Sequence, residues 1–257
     1  MSAPSVSTGR SSSWWAITAQ CAAGLALYVS TSLSVALLSG SAVLGAVVSG
    51  LVILGAVVVW RRWQNGTWAP GPLSARAQDP GFWGLVLFGL VLCFFGGQAL
   101  ALWLHARYGS SAFDSVQGAQ NAVPVLLLLF AMIVAAPAGE EALMRGLVHP
   151  LLRRRWPVVV SALVSSLVFA ALHGNLVQIA VALPLGVLLA FVYEHVNRLW
   201  PVIVLHALFN LASALVPVPL IEVLATPAVF CPALAGAAAV LVAVHPGRQP
   251  RGLPATS

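Results

Sequence analysis

The sequence contains few charged residues and no lysine. Aspartate, glutamate, lysine and arginine together make up 7% of its 257 residues, and all twelve basic residues are arginine. Soluble domains carry about 25% charged residues, so this composition excludes an ordinary water-soluble domain. We do not interpret the arginines as a binding surface, and we expect no nucleic-acid partner.

Cysteine is also scarce. Cys21, Cys93 and Cys231 lie far apart, each within an apolar stretch, and none belongs to a CxxC pair. This spacing argues against a disulfide framework and against a cysteine-based metal site.

Apolar residues are abundant and make up 60% of the chain. Runs of about 20 apolar residues, enough to cross a bilayer as helix, recur along nearly the whole length. The first run is too long for the core of a cleaved signal peptide. We therefore predict an all-α, polytopic transmembrane helix bundle with the lipid bilayer as its solvent. The eight predicted spans cover residues 14–38, 42–60, 81–104, 122–152, 157–173, 176–195, 200–216 and 219–244.

Tryptophan and arginine positions support this division. The nine tryptophans fall at span ends or in loops, where amphipathic indoles prefer the headgroup level. With a cytoplasmic N-terminus, Arg107 is the one loop arginine outside, and both termini are predicted to be cytoplasmic. The arginines then predicted to be cytoplasmic are Arg10, Arg61, Arg62, Arg76, Arg153, Arg154, Arg155, Arg198, Arg248 and Arg251.

The predicted spans divide the chain into four regions. Residues 1–13 form a polar tail, and residues 14–121 form three N-terminal spans with their loops. Residues 122–216, the motif-bearing core, form four spans, and residues 217–257 form the last span and a C-terminal tail. Residues 105–121 are expected to form a polar outer loop.

Three short polar patterns lie inside predicted spans. They are Glu140-Glu141-x-x-x-Arg145, Phe169-x-x-x-His173 and His206-x-x-x-Asn210. Glu141 and Arg145, like the end residues of the other two patterns, are four residues apart and share one face of a helix. Glu141 and Arg145 are spaced for an ion pair, which leaves Glu140 on a neighbouring face with a different task.

These patterns have two readings. A single histidine or asparagine in a membrane helix is often only a hydrogen-bonding group between helices. Helical rise, however, places the three patterns at overlapping depths in the bilayer, and such a set with an unmatched glutamate favours a reactive site. The other histidines and glutamates are expected at span ends, partly solvated and outside the site: His105, His149, His195, His245, Glu194 and Glu222.

Together the three patterns resemble those of the CPBP family of intramembrane proteases, which includes type II CAAX prenyl endopeptidases and bacteriocin-processing and self-immunity proteins. The resemblance covers about residues 123–216. It implies that Glu140 activates the attacking water and that His173 assists or positions it. It further implies that Glu141 and Arg145 hold the helix and its charges in place. His206 and Asn210 would stabilise the oxyanion, and these six residues are the predicted catalytic set.

The metal requirement has two alternatives. Glu140, His173 and His206 are the candidate ligands if a Zn²⁺ ion is present, as in a metalloprotease with water at the fourth position. The same residues can act without metal, with glutamate as general base. The zinc signature HExxH is absent, which favours the metal-free mechanism, and we expect no other cofactor.

The sequence therefore predicts an intramembrane endopeptidase, a hydrolase that resembles the CAAX-type proteases. It would cleave a membrane-associated or lipidated protein or peptide in a bacterial plasma membrane. One alternative is a non-catalytic membrane scaffold or bacteriocin self-immunity protein of the same fold. A second is a proton-coupled transporter that uses Glu140, His173 and His206 as a relay, although no internal repeat supports it.

Overall fold

The computed structural model describes residues 13–65 and 73–247 of the chain. Within these ranges the structure is helical and contains no strand, which confirms the predicted all-α fold. Arg10, Arg248, Arg251 and most of the predicted terminal tails lie outside the described residues. The helices are α1 (Trp14–Ser39), α2 (Ala42–Asn65), α3 (Pro80–Tyr108), α4 (Ser111–Asn121), α5 (Val125–Leu152), α6 (Val158–Ala171), α7 (Leu176–Val196), α8 (Leu199–Leu215), α9 (Val218–Leu224) and α10 (Pro227–Ala243).

Several of these helices are suited to span a membrane. Among the described residues five helices, α1, α2, α3, α5 and α7, are long and apolar enough to cross a bilayer. Helices α8 and α9 qualify together but are bent by 96° at the break between them, and α6 and α10 are apolar but shorter. The chain is therefore an integral membrane protein. The predicted count of eight spans and the predicted orientation of the termini stay predictions.

Two segments differ from the sequence-based expectation. Helix α4 lies where we expected a polar loop, and Ser110 caps its first turn by accepting the Phe113 N–H. The predicted last span, residues 219–244, is not one continuous helix. Thr226 is extended (φ −126°, ψ 146°) because the ring of Pro227 disfavours helical backbone in the residue before it. The chain therefore forms α9 and α10 as separate helices.

Helix α5 carries the first pattern and is not a regular α-helix. In its two π-helical stretches, the N–H that closes each stretch bonds to the carbonyl five residues earlier. The next residue in each case is a proline, Pro137 or Pro150, which has no N–H. Five residues before these prolines lie Met132 and Arg145, whose carbonyls are therefore left without a backbone donor. The stretches are Ala131–Ala135 and Ala142–Val148.

Side chains of other helices bond these free carbonyls. The Asn210 Nδ2 group on α8 donates to the Met132 carbonyl over 2.8 Å. The Arg61 guanidinium on α2 donates from Nε to Gly146 over 2.9 Å and from Nη2 to Arg145 over 3.5 Å. Because a carbonyl without a partner is costly in a lipid environment, α2 and α8 stabilise the irregular geometry of α5.

Small residues bring α1 and α2 close to α5. A Cβ atom at Gly139 would overlap backbone atoms of Gly50, so α2 and α5 touch through their backbones. On α1, a Cβ at Gly24 would overlap the Leu147 side chain of α5. On the other side of the molecule, α7 packs against α3 and α6, and α10 packs against α3. Glu140 therefore lies one residue from the point where the backbones of α2 and α5 touch.

Candidate active site

The structure places the pattern residues on three neighbouring elements. Glu140 and Glu141 end the short α-helical part of α5 between its two π-helical stretches, and Arg145 lies within the second stretch. His206 and Asn210 lie one turn apart on α8. His173 differs from the expectation of a helical position, because α6 ends at Ala171.

The predicted ion pair between Glu141 and Arg145 is present. The Arg145 Nη1 atom lies 3.0 Å from the Glu141 Oε1 atom, and both side chains are buried. Arg145 also donates from Nη2 to the Gly186 carbonyl on α7, and its guanidinium lies 5.5 Å from the centre of the Phe169 ring. The positive charge is therefore held by a carboxylate, a carbonyl and an aromatic face, as a charge buried in a low-dielectric interior requires.

His206 lies between the two glutamates. Its Nδ1 atom is 2.9 Å from Glu141 Oε1, and its Nε2 atom is 3.7 Å from Glu140 Oε2. Because Arg145 holds Glu141 as an acceptor, the Nδ1–H group of His206 donates to it and fixes the ring orientation. The opposite ring nitrogen is then directed toward Glu140. We call Glu140, Glu141, Arg145 and His206 the buried polar network.

The two glutamates have different surroundings. The Glu141 side chain is 0% exposed, whereas that of Glu140 is 15% exposed and lines a cavity. The sequence-based assignment of different tasks to the adjacent glutamates stays a prediction. Glu141 faces the packed interior, and Glu140 faces a space that a reactant can occupy.

His173 lies in the turn that follows α6. Its Nδ1 atom is 3.1 Å from the Phe169 carbonyl oxygen, which can only accept a hydrogen bond. Nδ1 therefore carries the proton, and Nε2 is left as the unprotonated nitrogen of the neutral ring. The Phe169 ring contacts the rings of both His173 and His206, with centroids 5.2 and 5.7 Å away. Phe169 thus fixes the positions of two histidines.

A central cavity of about 610 Å³ joins these groups. Glu140, His173, His206 and Asn210 all line it, which confirms that the three patterns converge on one place. Among the described residues that line it, Glu140 is the only aspartate, glutamate, lysine or arginine. The remaining lining is mainly aliphatic or aromatic, with glutamine amides from α3, α4 and α7. The cavity is therefore suited to an uncharged chain segment that reaches a single carboxylate.

Asn210 has a structural contact in addition to its place on the cavity. One hydrogen of its amide group bonds the Met132 carbonyl. The amide nitrogen carries a second hydrogen, and the side chain remains partly exposed to the cavity. Asn210 can therefore stabilise α5 and offer a donor to a ligand at the same time.

Sequence reasoning missed Tyr28 on α1. Its hydroxyl group donates to Glu140 Oε1 over 3.4 Å, across 112 residues of sequence. Tyr28 belongs to no pattern, and α1 took no part in the motif argument. The one sequence feature that could have pointed to it is a phenol in the middle of a span whose other aromatic residues, Trp14 and Trp15, stand at its start, because a buried hydroxyl needs a partner.

Sequence reasoning also misplaced His149, Glu194 and His195. We expected all three to be partly solvated at span ends, but the His149 side chain is 0% exposed, that of Glu194 is 7% exposed, and His195 is 7% exposed. His149 Nε2 lies 2.8 Å from Glu194 Oε1, and Arg153 Nε lies 2.9 Å from the same oxygen. These residues join the ends of α5 and α7 and do not line the central cavity. Their exclusion from the candidate site agrees with this position.

The candidate zinc ligands do not fit a metal ion as they lie. Within the described ranges no three His, Cys, Asp or Glu side chains are grouped to hold one. His173 and His206 would each have Nε2 available for an ion, because Nδ1 is bonded to the Phe169 carbonyl in one and to Glu141 in the other. We therefore derive no chemical step through a metal from this arrangement.

Comparison with known proteins finds a family match within the motif-bearing core. Residues 122–212 match the family of Rce1-like proteins, type II CAAX prenyl endopeptidases. This range contains all three patterns and every residue of the predicted catalytic set. The match confirms the resemblance inferred from the motifs.

Two relatives are bacterial proteins. The chain is 32% identical over 124 residues to the "Uncharacterized 24.3 kDa protein" of Escherichia coli, a match that covers 46% of this chain and 52% of that protein. It is 26% identical over 90 residues to the "Putative membrane peptidase YdiL" of Bacillus subtilis (strain 168), covering 35% and 36% of the two chains. The matched parts thus span about half or less of these relatives. No solved structure gives a significant match to the chain.

Proposed function

We propose that this chain, whose residues 122–212 match the Rce1-like family, is an intramembrane endopeptidase. Its substrate is a membrane-associated or lipidated protein or peptide, and its reaction is hydrolysis of a peptide bond within the central cavity. The observation that carries the proposal is the convergence of Glu140, His173, His206 and Asn210 on one cavity inside a membrane-spanning helix bundle.

Glu140 is the general base in this mechanism. A water molecule beside its carboxylate gives up a proton to Glu140 as the water oxygen attacks the carbonyl carbon of the peptide bond. The unprotonated Nε2 of His173 accepts a hydrogen bond from the same water and orients it. The electron pair of the carbonyl double bond moves to oxygen, which gives a tetrahedral intermediate with one negative charge.

His206 and Asn210 stabilise the charge on that oxygen. The second amide hydrogen of Asn210 donates to it, and His206 donates through Nε2 when the ring carries its second proton, with Glu141 as counter-ion. Donors that are fixed in advance in a water-poor site stabilise such an oxyanion more than water does. When the intermediate collapses, Glu140 returns the proton to the leaving nitrogen, the C–N bond breaks, and an acid and an amine are released.

The cavity lining supports a substrate that is itself within or beside the bilayer. Phe94, Leu185 and Phe209 are among its apolar residues, whereas Gln98, Gln117, Gln120 and Gln178 supply neutral hydrogen-bonding groups. An extended peptide needs such groups because its backbone loses water on entry. The two relatives are bacterial, which supports the further proposal that the enzyme lies in a bacterial plasma membrane.

A comparison of membrane proteomes tests the activity. Host membranes that contain the wild-type protein, Glu140→Ala or Glu140→Gln are compared for new C-terminal or juxtamembrane ends, and a peptide spanning one such end is then assayed with purified enzyme. We expect cleavage by the wild-type protein and a loss of at least 100-fold in both variants, because general-base catalysis contributes about 10²–10⁴-fold. Undiminished cleavage by Glu140→Gln would overturn the proposal.

The same variants separate the alternatives. A non-catalytic scaffold or self-immunity protein keeps its cellular phenotype in Glu140→Gln, provided that the protein inserts at normal level. A proton-coupled transporter produces substrate flux in proteoliposomes and no new peptide ends. Membrane abundance of each variant, measured by immunoblot, serves as the control for insertion.

A further inference from the structure

Helix α1 lies at the edge of the bundle, and only one stripe of it packs inward. In the most apolar window of this helix, 6% of the residues are buried inside the protein. Inward residues from the start to the middle of the helix recur at helical spacing and pack against α2 and α5. They are Ile17, Cys21, Gly24, Leu25 and Tyr28.

Tyr28 is the polar member of this stripe, and it reaches the proposed base. Gly24, one turn earlier on the same face, has no side chain and lets α1 approach Leu147 of α5. The Tyr28 hydroxyl group then lies 3.4 Å from Glu140 Oε1. Packing at Gly24 thus decides whether the phenol can reach the carboxylate.

The two oxygens of Glu140 have different neighbours. Tyr28 donates to Oε1, whereas Oε2 lies 3.7 Å from Nε2 of His206. A carboxylate bound at one oxygen by a rigid phenol loses the freedom to rotate. Its other oxygen is then held toward the imidazole and the cavity, which is where an attacking water must lie.

We propose that Tyr28 is a positioning residue that fixes the Glu140 carboxylate for catalysis. This inference rests on the proposed function and extends it to a helix outside the family match at residues 122–212. The oxygen–oxygen distance is longer than the usual 2.7–2.8 Å of such bonds, and catalytic hydrogen bonds commonly shorten when substrate binds. Tyr28 acts through Glu140 and does not touch the reacting atoms.

The kinetic test uses the peptide substrate and the whole protein in proteoliposomes. Tyr28→Phe removes the hydroxyl oxygen and keeps the ring, so packing along α1 is retained. We expect kcat to fall about 10-fold with KM unchanged, because the hydrogen bond orients the base and does not bind substrate. Tyr108→Phe is the matched control, since Tyr108 is 72% exposed and lies away from the cavity. An unchanged kcat in Tyr28→Phe overturns the inference.

A spectroscopic test keeps this inference separate from the proposed function. The infrared carboxylate bands of Glu140 are assigned from the difference between the wild-type protein and Glu140→Gln. We expect these bands to shift in Tyr28→Phe and to stay in place in Tyr108→Phe, whether or not peptide is cleaved. If the bands do not shift, the role assigned to Tyr28 is wrong. If the bands shift but no peptide is cleaved, only the peptidase proposal is wrong.

Discussion

The Nδ1 atom of His206 lies 2.9 Å from the Oε1 atom of Glu141, and both side chains are buried. The same Glu141 oxygen lies 3.0 Å from Arg145. The ion pair within α5 therefore does more than balance a charge, because it also fixes the orientation of an imidazole on α8. A carboxylate that orients a histidine is a recurring arrangement where the histidine acts on a ligand.

The first prediction concerns this shared oxygen. Glu141→Gln can still accept from His206, but it leaves the Arg145 guanidinium buried without a counter-charge. We expect a loss of stability of about 3–5 kcal/mol, seen as a lower midpoint of thermal unfolding in detergent.

A double variant provides the control for that prediction. Replacement of both partners, Glu141→Leu with Arg145→Met, removes the two charges together, and we expect it to recover most of the lost stability. Its peptidase activity should stay low because His206 has lost its orienting carboxylate. A double variant that is as unstable as Glu141→Gln contradicts the assigned charge balance.

The second prediction concerns His206 as an oxyanion donor. His206→Gln should lower kcat by about 10²–10³-fold, the usual effect of removing one such donor, with a smaller change in KM. Steady-state kinetics on the cleaved peptide measures both. His245→Gln is a suitable control because His245 contacts Phe191 and lies outside the central cavity. Equal losses in the two variants count against a specific role for His206.

The third prediction separates two tasks of Asn210. Asn210→Ala should lower the thermal midpoint, because the Met132 carbonyl loses its donor, and should also lower kcat. Adding Pro137→Ala restores a backbone N–H at the position that can bond to this carbonyl. We expect the double variant to regain stability, by about 1–3 kcal/mol, without regaining turnover. Recovery of turnover together with stability means that Asn210 is only a structural residue.

The fourth prediction concerns metal dependence. Because every proposed step uses protein groups and water, we expect turnover to be unchanged after treatment with 1,10-phenanthroline and removal of the chelator by gel filtration. Zinc measured on the purified protein should be well below one ion per chain. Loss of activity that added Zn²⁺ restores is the contrary result.

Much of the candidate site could be predicted because its chemistry is local in sequence. The spacing of Glu141 and Arg145 predicts their ion pair, and the unmatched Glu140 predicts a group with a separate task. Apolar composition predicts an all-helical membrane protein in the same direct way. In each case one short stretch of sequence contains both the residues and the geometry that relates them.

The remaining features depend on contacts between distant segments. The approach of α1 depends on Gly24 meeting Leu147, so the Tyr28 contact with Glu140 cannot be read from either stretch alone. His149 and Glu194 can be buried because they bond to each other, although 45 residues separate them in the sequence. The π-helical stretches of α5 are likewise followed by prolines, and the donors that these prolines lack come from side chains on α2 and α8.

The hydrogen bonds from Arg61 to the Gly146 and Arg145 carbonyls limit how far this protein can be truncated. Arg61 lies on α2, outside residues 122–212, yet it supplies the Arg145 carbonyl with the donor that Pro150 cannot. A fragment limited to the matched residues would leave the Arg145 carbonyl without this donor, at a cost of several kcal/mol in lipid. The smallest piece able to assemble must therefore begin before α2, and expression trials that start at the motif should yield protein that aggregates or is degraded.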